Sequence, residues 1–188
     1  MSQQELLAVV IGALNELGCE YMLTGSFASS LQGEPRLSHD IDLVVAIPPN
    51  AVEKLLSRFP PPEFYLDKLA VEEAIAARTM FSLLDVVEGD KMDFWLLTSD
   101  PFDVSRFARR RKEHALGLEL LVSSPEDTIL AKLRWAKLSG GSQKHAQDAL
   151  RVYEVQQHLL DHGYLDRWAD TLGVSGSWRQ LKQDAVDE

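Results

Sequence analysis

The run Asp40-Ile41-Asp42-Leu43-Val44-Val45-Ala46-Ile47, stopped by Pro48-Pro49, constrains this chain more than any other segment. Its β-branched second half favours extended backbone, and the two prolines end it. In a strand, residues two apart share a face. Ile41 and Leu43 therefore point into a core. Asp40 and Asp42 stand together on the opposite face, their Cα atoms about 7 Å apart. Paired carboxylates repel, and burying either one costs free energy. Two readings follow from a bare D-x-D. The plain one is a pair of solvated acids at a strand start. The other is a site for a hard divalent cation, which prefers oxygen ligands.

The rest of the chain supplies partners for that strand. Apolar spacing over residues 2–17 predicts a helix capped by Ser2, followed by a buried strand over 21–24 and a short helix over 26–31. A helix over 50–58 ends at Pro60-Pro61-Pro62, and an Ala- and Glu-rich helix covers 70–78. Residues 80–87 and 91–97 read as two strands joined by Glu88-Gly89-Asp90, with a further short strand over 118–122. From Ser123 onward every signal is helical. Ser124-Pro125-Glu126-Asp127 is a helix start, with cap, proline and acids in order. Gly140-Gly141, Gly163 and Gly173 mark the breaks. The expected class is α+β: a small mixed sheet with flanking helices over 1–122, then a C-terminal helical unit over 123–188.

Two further features sharpen the D-x-D. In Lys91-Met92-Asp93-Phe94-Trp95, Met92 and Phe94 share one face and Asp93 takes the other, mid-strand, where a lone acid is disfavoured. If that strand adjoins the Asp40 strand, three carboxylates converge, as a two-ion site for phosphoryl chemistry requires. Asp85 and Asp90 compete with Asp93 for the third place. Earlier in the chain, Gly25-Ser26 lies between a strand and a helix. A glycine there lets an anion approach the backbone, and the helix start offers unpaired N–H groups. A Gly-Ser pair alone is equally an ordinary turn.

Taken together, TGSFASSLQGEPRLSHDIDLVV resembles the signature of the DNA polymerase beta-type nucleotidyltransferase superfamily. Its Gly33, Arg36, Ser38, Asp40 and Asp42 are similar to the variant found in abortive-infection toxin nucleotidyltransferases. The resemblance continues through KMDFWLL, SPEDTILAKLRWAK and KHAQD, so it spans about residues 21–150. It implies a nucleotidyltransferase-type fold and transfer of an NMP from an NTP to an acceptor hydroxyl. It implies two Mg²⁺ ions, with Mn²⁺ as the substitute, on Asp40, Asp42 and Asp93, and help from Asp93 in deprotonating the acceptor. Gly25, Ser26, Ser38 and Lys132 would bind the nucleotide, ATP or another NTP. Lys144 and Asp148 fall near a basic-then-acidic pair of the relatives, where arginine is frequent. The implied acceptor is RNA such as tRNA, a protein or a small molecule. A toxin–antitoxin or phage-defence role, with a cognate antitoxin as partner, belongs to the same implication.

Composition narrows the alternatives. Lys plus Arg is 19 against 29 Asp plus Glu, a net charge of −10, which excludes a general nucleic-acid coat protein. The densest basic run, Arg106 to Lys112, reads either as an RNA footprint or as a solvated face paired with nearby acids. A single cysteine, Cys19, leaves no internal disulfide and reads as a small core residue. With no secretory start and no apolar run of membrane length, the chain reads as cytoplasmic. Arg36 is expected to orient its loop or pair with Asp40 or Asp42. Asp127 reads as a helix-start charge and His39 as structural or solvated. Trp135, Trp168 and Trp178 read as helix packing. Two rival functions stand beside the transferase. One is a non-catalytic module binding a nucleotide or a partner. The other is a D-x-D glycosyltransferase, which the mere 39 residues before Asp40 disfavour.

Overall fold

The computed structural model describes residues 1–36 and 40–185. The chain forms two compact units. One comprises Met1–Thr24 with Ser38–Val122, the other Gly25–Leu37 with Ser123–Glu188.

The first unit is built on a seven-stranded mixed sheet. Its strands are β1 (Glu20–Thr24), β2 (Asp40–Ala46), β3 (Phe64–Tyr65), β4 (Met80–Asp85), β5 (Lys91–Leu96), β6 (Arg111–Ala115) and β7 (Leu118–Val122). Their order is β3-β4-β5-β2-β1-β7-β6. β2 lies parallel to β5 and antiparallel to β1. Helices α1 (Gln3–Glu16), α3 (Val52–Arg58) and α4 (Lys68–Ala77) pack on one another and on β1 and β4. Alternation decides which residues enter the core: Ile41, Leu43, Leu83, Met92 and Phe94 are almost wholly buried. Phe81 and Phe94 stack there with ring centres 4.8 Å apart.

The opposite face changes character along the strands. Toward the end of β2 and β5 it is apolar: Met22, Val44, Ala46, Trp95 and Leu97 pack with Phe107 of α5 (Pro101–Ala108). Toward their beginning it is acidic, carrying Asp40, Asp42 and Asp93.

The second unit is helical: α2 (Gly25–Gln32), α6 (Pro125–Leu138), α7 (Gln143–Gln156), α8 (His162–Thr171) and α9 (Ser175–Asp184). Helix α6 begins at the expected cap, where Ser124 Oγ accepts the amide of Asp127. Asp127 is more than a helix-start charge. It is fully buried and accepts hydrogen bonds from Ser124 Oγ at 2.7 Å and Tyr164 Oη at 2.7 Å.

Several expectations need correction. Gly163 does not end a helix. It lies in the first turn of α8, behind a cap in which Asp161 accepts the Tyr164 amide at 2.9 Å. First-turn amides have no helical partner, so glycine is tolerated there. Helix α5 and strands β3 and β6 were not expected. β6 reads RKEHA, a charged edge strand whose polarity hides its period. Trp178 is buried, packs edge-on against Tyr153 and donates to Asp166. Trp135, by contrast, is 46 % exposed, because it lies off the buried stripe of α6 that holds Ile129, Lys132, Leu133 and Ala136. Cys19 is buried, as expected. Among the described residues no helix is long and apolar enough to cross a membrane.

Candidate active site

The acidic face is set by strand register. β2 and β5 pair so that Asp40 lies opposite Lys91 and Asp42 opposite Asp93. Paired residues on neighbouring strands share a face, so all three carboxylates and the Lys91 ammonium emerge on one side. Asp85 does not. Ser82 pairs with Asp93, so Asp85, three residues on, faces the other way and is buried. There its carboxylate caps the turn by accepting the amides of Val87 and Glu88. Asp90 lies in that turn, where its carbonyl accepts the Asp85 amide.

The acids are held by donors from the same sheet. Ser82 Oγ donates to Asp93 Oδ1 at 2.6 Å, and Trp95 Nε1 donates to Asp42 Oδ1 at 3.1 Å. Lys91 Nζ stands 2.9 Å from Asp93 Oδ2 and 3.9 Å from Asp40 Oδ1. The hydrogen bond to Asp93 holds the Lys91 ammonium above the ordinary lysine value, against the opposing effect of burial. The Lys91 ammonium shares this face with three carboxylates, whose oxygens are hard donors. That donor chemistry fits a divalent cation such as Mg²⁺. Among the described residues, however, no three His, Cys, Asp or Glu side chains are drawn together as a ready cage.

The second unit carries a basic cluster. Ser26 Oγ accepts from Arg36 Nη2 at 2.7 Å and from Lys132 Nζ at 3.2 Å. Asp148 on α7 accepts from both cations: Arg36 Nε at 2.7 Å and Nη2 at 2.8 Å, and Lys132 Nζ at 2.6 Å. Burial pushes the Asp148 carboxyl up, but the hydrogen bonds and charges of Arg36 and Lys132 outweigh it and hold it below the ordinary range. Arg36 and Lys132 thus converge on the Ser26 hydroxyl, and cationic donors of this kind suit a phosphate. Gly25, which opens α2, has φ of +67°, a left-handed conformation that side chains disfavour.

This geometry reassigns two motif residues. Arg36 pairs with Asp148 on α7, a partner the sequence did not suggest. A Cβ on Gly33 would lie 2.8 Å from the backbone of Arg151 and Val152. The Gly33–Arg36 stretch therefore docks α2 onto α7. Gly33→Ala is expected to cost about 1–3 kcal/mol through overpacking, read as a lowered urea midpoint at unchanged slope.

Sequence reasoning missed His145. Its Nδ1 is buried and finds no hydrogen-bond partner among the described residues, near the Lys132–Asp148 pair. Burial and the charge of Lys132 push its pKa down, which favours the neutral ring. The clue was the i, i+3 spacing of His145 and Asp148 within KHAQD, which places both on one helix face. Lys144 is exposed on α7. Ser38 and His39 lie outside the described residues. The basic run passes from α5 through residues 109–110 into β6 and meets acids: Arg106 pairs with Asp103, Arg110 with Glu20 and Lys112 with Glu119.

No protein-family model matches the chain, and no curated protein matches it. Solved structures do. The antibiotic-resistance factor ANT(2'')-Ia in solution aligns with TM-score 0.50 and 14 % identity, over 98 % of this chain and 95 % of that one. The same factor in complex with adenylyl-2''-tobramycin aligns with TM-score 0.52 and 13 % identity, over 92 % and 97 %. An antigenic nucleotidyltransferase-like protein from Paracoccidioides brasiliensis aligns with TM-score 0.52 and 16 % identity, over 97 % and 94 %. At such identities the likeness is one of architecture, and architecture does not by itself carry chemistry. The chain therefore has the α+β fold of nucleotidyltransferases.

Proposed function

We propose that this protein is a metal-dependent nucleotidyltransferase that moves an NMP from an NTP to an acceptor hydroxyl. The observation that carries the reading is the register placing Asp40, Asp42 and Asp93 on one face of adjacent strands. The fold likeness to ANT(2'')-Ia supports it.

In this reading Asp40, Asp42 and Asp93 hold Mg²⁺ or Mn²⁺. The ions, when bound, stabilise charge on the entering and departing oxygens. The chain's own residues do the rest. Ser82 and Trp95 fix the orientation of Asp93 and Asp42 through the two hydrogen bonds above. Asp93 also receives the acceptor's proton. Gly25, Ser26 and Lys132 bind the triphosphate, with Ser38 added by its place in the motif. Arg36 and Asp148 hold Lys132 and Ser26 in place, so the cationic donors need little reorganisation when the anion arrives.

The test is incubation with each α-labelled NTP and Mg²⁺ or Mn²⁺, against RNA, protein and an aminoglycoside, read by mass spectrometry. A gain of one NMP on any acceptor supports the reading and names donor and acceptor. Binding without any such gain supports the rival, a nucleotide-binding module. The acceptors that the motif resemblance favours are tRNA and protein, in a toxin or phage-defence setting. Growth arrest on expression that Asp42→Ala abolishes supports that role, and harmless expression counts against it.

A further inference from the structure

The acidic face contains a cation of its own. The Lys91 ammonium is 2.9 Å from Asp93 and 3.9 Å from Asp40, on the face that Asp42 shares. Its position is dictated by register: Lys91 pairs with Asp40 and precedes Asp93 by two residues, so it cannot turn to the other face without breaking the strand. The lysine stem is flexible, and its side chain is 40 % exposed, so the head can leave for solvent. Three carboxylates with no compensating charge would repel one another, and Lys91 relieves that repulsion without needing an ion.

We propose that Lys91 is the resting counter-cation of this face, and that a divalent ion binds by exchange, displacing the ammonium from Asp93 and Asp40. Lys91 thereby sets the ion affinity and keeps the ion-free protein folded. The inference rests on the reading of Asp40, Asp42 and Asp93 as ion ligands, and it goes beyond that reading by assigning a role to a cation. The exchange makes and breaks no covalent bond. The ammonium stays protonated and moves its hydrogen bonds to water.

The test uses Mn²⁺ alone, without nucleotide, on the full chain. Its readouts are calorimetry and the electron-spin signal of free Mn²⁺. Lys91→Met keeps the apolar stem and removes the charge. It is expected to bind Mn²⁺ about tenfold more tightly than the wild type, since the ion no longer competes with an ion pair. After EDTA treatment the same variant is expected to melt at a lower temperature than the wild type, with Mn²⁺ removing the difference. Lys91→Arg, which retains a cation, is expected to bind as the wild type does and controls for packing. Should the wild type bind Mn²⁺ and Lys91→Met bind it equally or less well, the exchange is wrong while the ligand assignment stands. Should neither protein bind Mn²⁺, the ligand assignment itself falls, and the exchange with it.

Discussion

Asp42→Asn is expected to reduce NMP transfer by at least about 10³-fold while leaving the unfolding curve unchanged. A loss of that size corresponds to about 4 kcal/mol of transition-state stabilisation. The substitution is nearly isosteric, and the amide oxygen can still accept the Trp95 indole hydrogen bond seen at Asp42 Oδ1. What disappears is one negative charge on the face shared with Asp40 and Asp93. Stability is expected to hold or rise slightly, because one source of repulsion among neighbouring acids is removed. The measurement pairs a labelled-NTP transfer assay with urea unfolding of the same preparation. Transfer retained within tenfold of wild type would remove Asp42 from the chemistry. Loss of transfer together with loss of folding would instead mark it as structural.

Asp148→Ala should produce the largest effect on stability. Asp148 is buried between Arg36 and Lys132, and the Lys132 side chain is only 5 % exposed. Removing the carboxylate leaves a buried ammonium without its partner. Breaking a buried pair in that way typically costs about 3–5 kcal/mol, a large part of the 5–15 kcal/mol that holds an ordinary domain together. The double variant Asp148→Leu with Lys132→Met is expected to recover part of the loss, because the buried ammonium goes with its carboxylate, while the 30 % exposed Arg36 still loses its bonds to Asp148. A cost below about 1 kcal/mol for Asp148→Ala would show that water reaches the pair. The pH dependence has a definite sign. The folded-state pKa of Asp148 is depressed, so its stabilising contribution is fully present above the pKa of an unfolded aspartate, about 4. It is lost as pH falls through the lower folded value. Wild type should therefore lose stability on acidification below about pH 4 more steeply than Asp148→Leu/Lys132→Met does.

The acidic face and the basic cluster were unequally legible. The acids could be read because strand geometry is local. D-I-D fixes which residues share a face, and K-M-D-F-W repeats the same alternation. The basic cluster was legible only as separate residues. Ser26 and Lys132 are marked only by a resemblance, and nothing local to Arg36 points to Asp148. That partner lies 112 positions along the chain, on α7, and no periodicity reports a contact over that distance. His145 escaped for the same reason. Its interest lies in a buried ring nitrogen near Lys132, which no one-dimensional pattern records. Gly33 shows the limit most plainly. In sequence it is a loop glycine, and its requirement comes from the backbone of residues 151 and 152 lying 2.8 Å from where a Cβ would be.

Local rules were enough, from the amino-acid order alone, to place the D-x-D strand, the cap at Ser124, the alternation around Asp93 and the switch to helices after Val122. Each depends on the preferences of a few consecutive residues. Folding in three dimensions decided what those rules cannot reach: that β5 lies beside β2 with Asp93 level with Asp42, that Lys91 stands among the acids, and that α2 associates with the C-terminal helices through Gly33 and Arg36. These outcomes depend on which distant segments bury each other's apolar surface and satisfy each other's charges, a choice made by the whole chain at once.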